Sequence, residues 1–319
     1  MRCLVTGVCG FVGSSLAERL IELGHEIIGI DRFSDYYPRP LKESNLQNLR
    51  RHKQFRLIEA DLAELDLGPP LMDGVAHIFH QAAQAGVRAS WGKCFESYTR
   101  DNILSTQRLL EAAKQNPSLK RFVYASSSSV YGENADLPMR EQSLPKPYSP
   151  YGVTKLAAEH LCELYRHNFG VPTVSLRYFT VYGPRQRPDM GFHRFIRAIL
   201  HDQPIGVYGD GQQTRDFTYI ADAVQANIAS MEGEPGIYNI GGGSRVTLMH
   251  VLQVLGEVTG ISPKLSHIEA QAGDVRHTWA DTTAALKKLG YSPKIGLKEG
   301  LSAQVAWHRE HMAELDKHV

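Results

Sequence analysis

The segment Thr6-Gly7-Val8-Cys9-Gly10-Phe11-Val12-Gly13 sets glycines three residues apart between a β-rich apolar run, Arg2 to Thr6, and a helical stretch, Phe11 to Leu23. In that stretch Val12, Leu16, Leu20 and Leu23 recur at helical spacing, and Gly24 follows as a stop. Such a turn permits close backbone approach, and the helix start offers unpaired N–H groups and a positive dipole end to an anion. Taken alone, the glycine repeat is also what an ordinary strand-to-helix turn looks like. Its setting argues for more. Further β-rich runs follow at His25 to Asp31, Phe55 to Asp61, Ala76 to His80, Arg121 to Ser126 and Thr173 to Arg177, with helices near Phe95 to Gln115 and Tyr151 to Asn168. Alternating units of this kind predict an α/β chain with a doubly wound parallel sheet of the Rossmann type.

The stretch Glu133 to Pro150 holds four prolines and reads as a loop. After Arg177 the alternation fades into turns such as Gly209-Asp210-Gly211 and Gly241-Gly242-Gly243. We therefore expect a dinucleotide-binding domain over residues 1–178, with a later segment near 216–240 returning to it, and a smaller mixed α/β domain over 179–319. A net charge of +1 leaves no electrostatic footprint for nucleic acid or a membrane surface. Cys3, Cys9, Cys94 and Cys162 form no CxxC pair, so neither a disulfide framework nor a metal site is expected. With no apolar run of spanning length, the expectation is a soluble cytoplasmic protein. His308, His311 and His318 read as solvated helix residues, and His80 as a core histidine at a strand end.

Asp31 ends the second strand eighteen residues after Gly13. An acid there accepts hydrogen bonds from the adenosine ribose and repels a 2′-phosphate, which favours NAD over NADP. Arg32 beside it keeps NADP open as the alternative. Tyr151-Gly152-Val153-Thr154-Lys155 places a phenol and an ammonium four residues apart on one helix face. A nearby cation favours phenolate, bringing a group with an ordinary pKa of about 10 toward use as a general base. The pair recurs by chance on many helices, but here it follows Ser126-Ser127-Ser128-Ser129-Val130-Tyr131-Gly132, at the carboxyl end of the fifth strand.

With its G-x-x-G-x-x-G loop and Tyr-x-x-x-Lys pair, the chain resembles the extended short-chain dehydrogenase/reductases over nearly its whole length. The resemblance implies cofactor contacts from Gly7, Gly10, Phe11, Val12, Gly13, Asp31, Arg32, Asp61, Leu62, Gln81, Ala82, Ala83 and Asn102, together with Tyr151 and Lys155. It gives Ser127 as the catalytic hydroxyl beside Tyr151 and Lys155, and it implies a homodimer built on the two long helices. Sugar-nucleotide dehydratases carry an acidic pair where this chain has Ser128 and Ser129, and glucuronate decarboxylases a glutamate at the second position. The stretch Arg177 to Met190, with Thr180 in place of an asparagine, is similar to UDP-glucuronate 4-epimerases.

That resemblance implies a UDP-sugar substrate held by Arg88, Ser127, Ser128, Thr180 and Arg185. Val207, Tyr208, Arg215 and Asp274 of the segments Val207 to Phe217 and Gln271 to Arg276 would take its nucleotide end. Each arginine can equally be an ordinary surface residue. The expected reaction is NAD-dependent 4-epimerisation of UDP-glucuronate. A UDP-glucose or UDP-N-acetylhexosamine 4-epimerase is the alternative, ahead of a decarboxylase or a non-catalytic NAD-binding protein. Cys9, where the family often has alanine, and Ser90-Trp91-Gly92 depart from the pattern.

Overall fold

The computed structural model describes residues 1–133, 135–269 and 273–318. Its first half alternates β1 (Arg2–Thr6), α1 (Phe11–Glu22), β2 (Glu26–Asp31), α2 (Arg39–Asn45), β3 (Phe55–Glu59) and β4 (Val75–His80). Then come α3 (Phe95–Tyr98), α4 (Ser105–Lys114), β5 (Arg121–Ser127), α5 (Pro150–Phe169) and β6 (Thr173–Tyr178). The second half adds β7 (Thr180–Tyr182), α6 (Gly191–Leu200), β8 (Ile205–Tyr208), β9 (Thr214–Tyr219), α7 (Ile220–Ala229) and β10 (Gly236–Ile240). It ends with β11 (Arg245–Thr247), α8 (Leu248–Thr259), β12 (Leu265–Ile268), α9 (Thr283–Leu289) and α10 (Leu297–His318).

Seven strands form one parallel sheet in the order β10-β6-β5-β4-β1-β2-β3. Every residue of β4 and β5 is buried, because helices cover both faces of a parallel sheet. One core layer gathers Val5, Leu16, Val123 and Ala223, and the opposite layer Leu4, Ile78, Leu109 and Ala158. The chain leaves β1 toward β2 on one side and resumes with β4 on the other. That switch point is where an open α/β sheet parts its loops to admit a ligand. The doubly wound expectation holds, and a smaller set of strands, β11-β9-β7 and β12-β8, lies beside it.

Two readings of the sequence change. The single helix expected over Phe95 to Gln115 is broken by a wider, π-type turn at Thr99–Leu104, which turns Asp101 and Asn102 inward. The second half is mixed α/β as expected, though one of its strands does not carry the apolar alternation that marks most strands. In β9 the buried positions are Thr214, Asp216 and Thr218, so the alternation that marks a strand is carried by polar residues. Asp216 is satisfied by the Gly242 and Ala280 amides, at 2.7 and 3.1 Å, although burial pushes its carboxyl up to about 6. His308 is fully buried rather than solvated. Its Nδ1 lies 2.9 Å from the Gln304 carbonyl, its ring meets that of His193 at 4.6 Å, and burial pushes its pKa down to about 3.

At the carboxyl edge of the sheet, where β5 and β6 end beside α5, is a buried ion pair. Arg177 on β6 donates to both carboxylate oxygens of Glu159 on α5, at 3.0 and 2.6 Å. Ser126 at the end of β5 donates to Glu159 at 2.6 Å. Arg177 also reaches Tyr131 Oη at 2.8 Å, and Tyr131 donates to Asn239 of β10 at 2.7 Å. Removing one partner of such a pair strands a buried charge. Arg177→Met is expected to cost about 3–5 kcal/mol of unfolding free energy in urea titration; a loss below about 1 kcal/mol, the scale of an exposed pair, would show that the pair is not acting as a buried one.

Candidate active site

The site grows from the turn after β1. Gly7 has φ +66°, and a Cβ on it would stand 2.7 Å from the Ala82 amide nitrogen; a Cβ on Gly13 would stand 2.1 Å from the Gly7 carbonyl oxygen. Only glycine allows α1 and the β4 loop to close on this turn. Gly10 at the start of α1 has no side-chain cap, so the first N–H groups are left for a ligand. The resulting cleft is lined by Gly7, Gly10, Phe11, Val12 and Gly13 from the turn, with Asp31, Arg32, Asp61 and Leu62 beside them. Gln81, Ala82 and Ala83 form the next part of the wall, and Ala125, Tyr151 and Lys155 line the same cleft. The sequence thus brings together all but one of its expected cofactor contacts.

Asn102 is the exception. It is buried behind the wall, where its side chain bonds the Gln84 amide and carbonyl at 2.8 and 3.0 Å and Thr154 Oγ1 at 2.9 Å. It pins the wall to α5 instead of lining the cleft. Asp31 accepts the Cys9 and Phe33 amides at 3.0 and 2.9 Å. Arg32 is held by Asp61 and Asp101, at 3.1 and 2.5 Å. Burial alone would raise the Asp61 carboxyl, but the Ala63 amide and the Arg100 and Arg32 guanidinium groups bring it below its ordinary value. His80 bonds Thr6 and Thr106 at 2.7 and 2.9 Å, and burial pushes it down to about 3, so it remains a neutral structural imidazole.

Ser149 caps α5 by accepting the Gly152 amide at 3.1 Å, with Pro150 in the first turn, so the helix begins where Tyr151 must face the cleft. Lys155 is buried, donates to the Ala125 carbonyl at 2.8 Å, and is pushed down to about 7 by burial. Burial raises the Tyr151 phenol, while hydrogen bonding to Ser127 and the positive charge of Arg187 work against that rise. Ser127 Oγ accepts the Ser129 amide at 3.1 Å. Ser127 lies opposite Tyr178 in the β5–β6 register, which sets Ser128 and Thr180 just beyond neighbouring strand ends.

The substrate-side expectations divide. Arg88 donates to Asp274 at 2.5 Å and stacks 4.0 Å from the centre of the Tyr208 ring, so these three cluster. Arg215 donates to the Thr214 and Arg276 carbonyls at 2.9 and 3.0 Å, and burial lowers its pKa. Two other expected contacts sit apart from this cluster. Val207 is fully buried in the apolar core of the second half, and Arg185 is turned onto Glu18 of α1 by two bonds of 2.8 and 3.0 Å, away from the cleft. Arg187, two residues on, lines the cleft instead. Tyr36, Lys42 and Tyr178 also line it, and no spacing rule singled them out. Gln271 and Ala272 lie outside the described residues. Among the described residues no group of three His, Cys, Asp or Glu could hold a metal, and no helix is long and apolar enough to cross a membrane.

A dinucleotide turn, an acid at the end of β2 and a Tyr-Lys pair in one cleft, with Ser127 beside Tyr151 at the end of β5, have the pattern of a nucleotide-dependent oxidoreductase-type site. The chain belongs to the NAD dependent epimerase/dehydratase family, matching it over residues 3–241. Among its relatives, a UDP-glucuronate 4-epimerase of Thermodesulfobacterium geofontis is 37% identical, over 99% of this chain and 98% of the relative. A Bacillus subtilis protein described as an uncharacterized UDP-glucose epimerase, YtcB, is 46% identical, over 96% and 98%. The crystal structure of Bacillus cereus UDP-glucuronic acid 4-epimerase with UDP-glucuronic acid and NAD superposes with a TM-score of 0.93 at 43% identity, covering 97% of this chain and 99% of that one.

The depressed Lys155 value carries a consequence for stability. An unfolded lysine titrates at 10.5 and the folded one at about 7, so the unfolded state binds the extra proton between those values. The penalty for burying the cation is full below pH 7 and fades as pH rises toward 10.5. Cofactor-free protein should therefore gain stability from pH 7 to pH 10 relative to Lys155→Met, followed by thermal melts. Parallel profiles for the two proteins would remove the buried cation as the cause.

Proposed function

We propose that this chain is an NAD-dependent 4-epimerase of UDP-glucuronate, giving UDP-galacturonate. The observation that carries the reading is the meeting of Tyr151, Lys155 and the Ser127 end of β5 at a cleft whose neighbouring positions, Ser128 and Ser129, offer hydroxyls and no acid. The glycine cradle and Asp31 suit a dinucleotide with a free ribose 2′-hydroxyl. Arg32 is neutralised by two carboxylates, which argues against a 2′-phosphate. Bound here, NAD would accept the hydride from sugar carbon 4 and return it once the keto-sugar has turned over.

The protein's own groups do the rest. Ser127 holds the 4-hydroxyl by a hydrogen bond, and Tyr151 takes its proton. Lys155 favours the phenolate electrostatically. Ser127, Ser128 and Thr180 offer hydroxyl donors to the carboxylate on carbon 5, where a bidentate arginine would resist rotation of the ring. Without an acid at Ser128 or Ser129, elimination of water has no proton donor there. At the nucleotide end, Arg215 is the candidate for the diphosphate, Tyr208 for the base and Asp274 for the ribose. A UDP-glucose reading is the second, favoured by the description of the Bacillus subtilis relative.

Incubation with UDP-glucuronate should give UDP-galacturonate as the sole new sugar nucleotide by chromatography, with turnover well above that on UDP-glucose. The reverse preference selects the second reading, and a UDP-pentose product would refute epimerisation. Tyr151→Phe should lose about 10²–10⁴ in kcat while still binding NAD by titration, and near-normal rates would remove Tyr151 as the base.

Four free cysteines suit a reducing cytoplasm. Leu104, Val153, Leu164 and Phe169 are exposed apolar side chains on or beside α4 and α5, and they support a homodimer through those helices. Light scattering should return twice the chain mass, and Leu164→Glu with Phe169→Glu should halve it; a monomeric wild type would reject the dimer.

A further inference from the structure

One contact at the wall of the cleft joins parts of the chain far apart in sequence. Tyr36, in the loop between β2 and α2, donates from its hydroxyl to Asp189 Oδ2 at 3.3 Å. The Arg187 guanidinium lies 5.7 Å from the centre of the same ring. A Cβ on Gly86, in the loop after β4, would stand 2.4 Å from the Tyr36 hydroxyl. Loops following β2, β4 and β7 therefore meet at one phenol, and both Tyr36 and Arg187 line the cleft shared by Asp31, Tyr151 and Lys155.

The two sides of this contact are held very differently. On the far side, Gln186 is buried; it donates to the Val181 carbonyl at 3.1 Å and accepts from the His193 amide at 2.9 Å and from Gln304 Nε2 at 3.0 Å. Gln304 of α10 also takes the Gly183 amide at 3.0 Å, so the C-terminal helix fixes both ends of this turn. Arg187 then holds Asp189 with two bonds of 2.9 Å. On the near side, the Asp189 contact is the hydrogen bond that Tyr36 makes through its side chain among the described residues. A fixed carboxylate faces a phenol on a surface loop.

A redox-neutral epimerisation makes that arrangement useful. The hydride removed in the first half of the cycle must be returned in the second, so a reduced cofactor that escapes between them leaves the keto-sugar unreduced and the cycle incomplete. We propose that Tyr36, seated on Asp189 beside Arg187, is a clasp across the cleft that retains the dinucleotide, and that its opening sets the rate of cofactor release. The inference rests on the redox-neutral reading above, but its test needs no sugar. Failure to turn over UDP-glucuronate and failure of the clasp are therefore separate results.

The test is the release of labelled NAD from purified protein chased with excess unlabelled NAD. Losing one hydrogen bond to a carboxylate should speed release about three- to tenfold in Tyr36→Phe, and Tyr36→Ala, which also removes the ring, should release faster still. Asp189→Ala should speed release too, and combining it with Tyr36→Phe should add nothing beyond the faster single variant, because the two residues make one contact. A release rate unchanged in Tyr36→Ala, or single effects that multiply in the double variant, would overturn the clasp.

Discussion

The buried Arg177–Glu159 pair is the constraint on which the site depends. Glu159 lies four residues after Lys155 and eight after Tyr151, so the structural carboxylate, the ammonium and the phenol occupy one face of α5. Fixing Glu159 by two bonds from Arg177 and one from Ser126 sets how far α5 sits along the carboxyl edge of the sheet and how it is rotated. A buried ion pair adds little net stability over a well-packed apolar substitute, because desolvation offsets most of its Coulomb attraction. Its value here is registry. A leucine pair could fill the same volume and slide; two directed bonds to one carboxylate resist sliding. Through Tyr131 and Asn239 the same network reaches β10, which joins the sheet only after a long excursion through the second half.

Above that anchor, Lys155 is buried and Tyr151 half-buried. Desolvation acts on the two reactive groups in opposite senses, raising the Tyr151 phenol and lowering the Lys155 ammonium, so each resists its own charged form. A phenolate beside an ammonium is nearly neutral as a pair, and the burial that penalises either charge alone penalises the pair much less. In the proposed epimerase reading, Tyr151 would become an effective base when further positive charge enters the cleft. Arg187 is already arranged to help, since it works against the rise at Tyr151.

Much of this was legible in sequence because it was local. The glycine turn, Asp31, the serine run and the Tyr151–Lys155 spacing each lie within one strand–helix unit, and periodicity located the strands that carry them. The less legible features are those set by distant partners. Arg185 and Arg187 are equivalent in pattern, yet Glu18 turns one away and Asp189 holds the other at the cleft. His308 read as a solvated helix residue, but α6 covers it through His193. Val207 and the polar-faced β9 belong to a second core whose inward side is decided by pairing, not by alternation of hydrophobicity. Asn102 was found through a motif, and only the wide turn before α4 shows that it braces the wall.

Cofactor choice follows from the same reasoning about partners. Read singly, Arg32 could serve a 2′-phosphate as readily as Asp31 could repel one. In the fold Arg32 is bound between Asp61 and Asp101, and Arg100 contributes a second cation to Asp61. An incoming phosphate would have to draw Arg32 from two carboxylates, leave Asp101 partly buried with less compensation, and sit beside the Asp31 carboxylate. Burial already raises the Asp101 carboxyl, so losing its nearest cation would be the larger part of that cost. The case for an unphosphorylated ribose therefore rests on the Arg32–Asp61–Asp101 arrangement as a whole, with Asp31 as its most visible member.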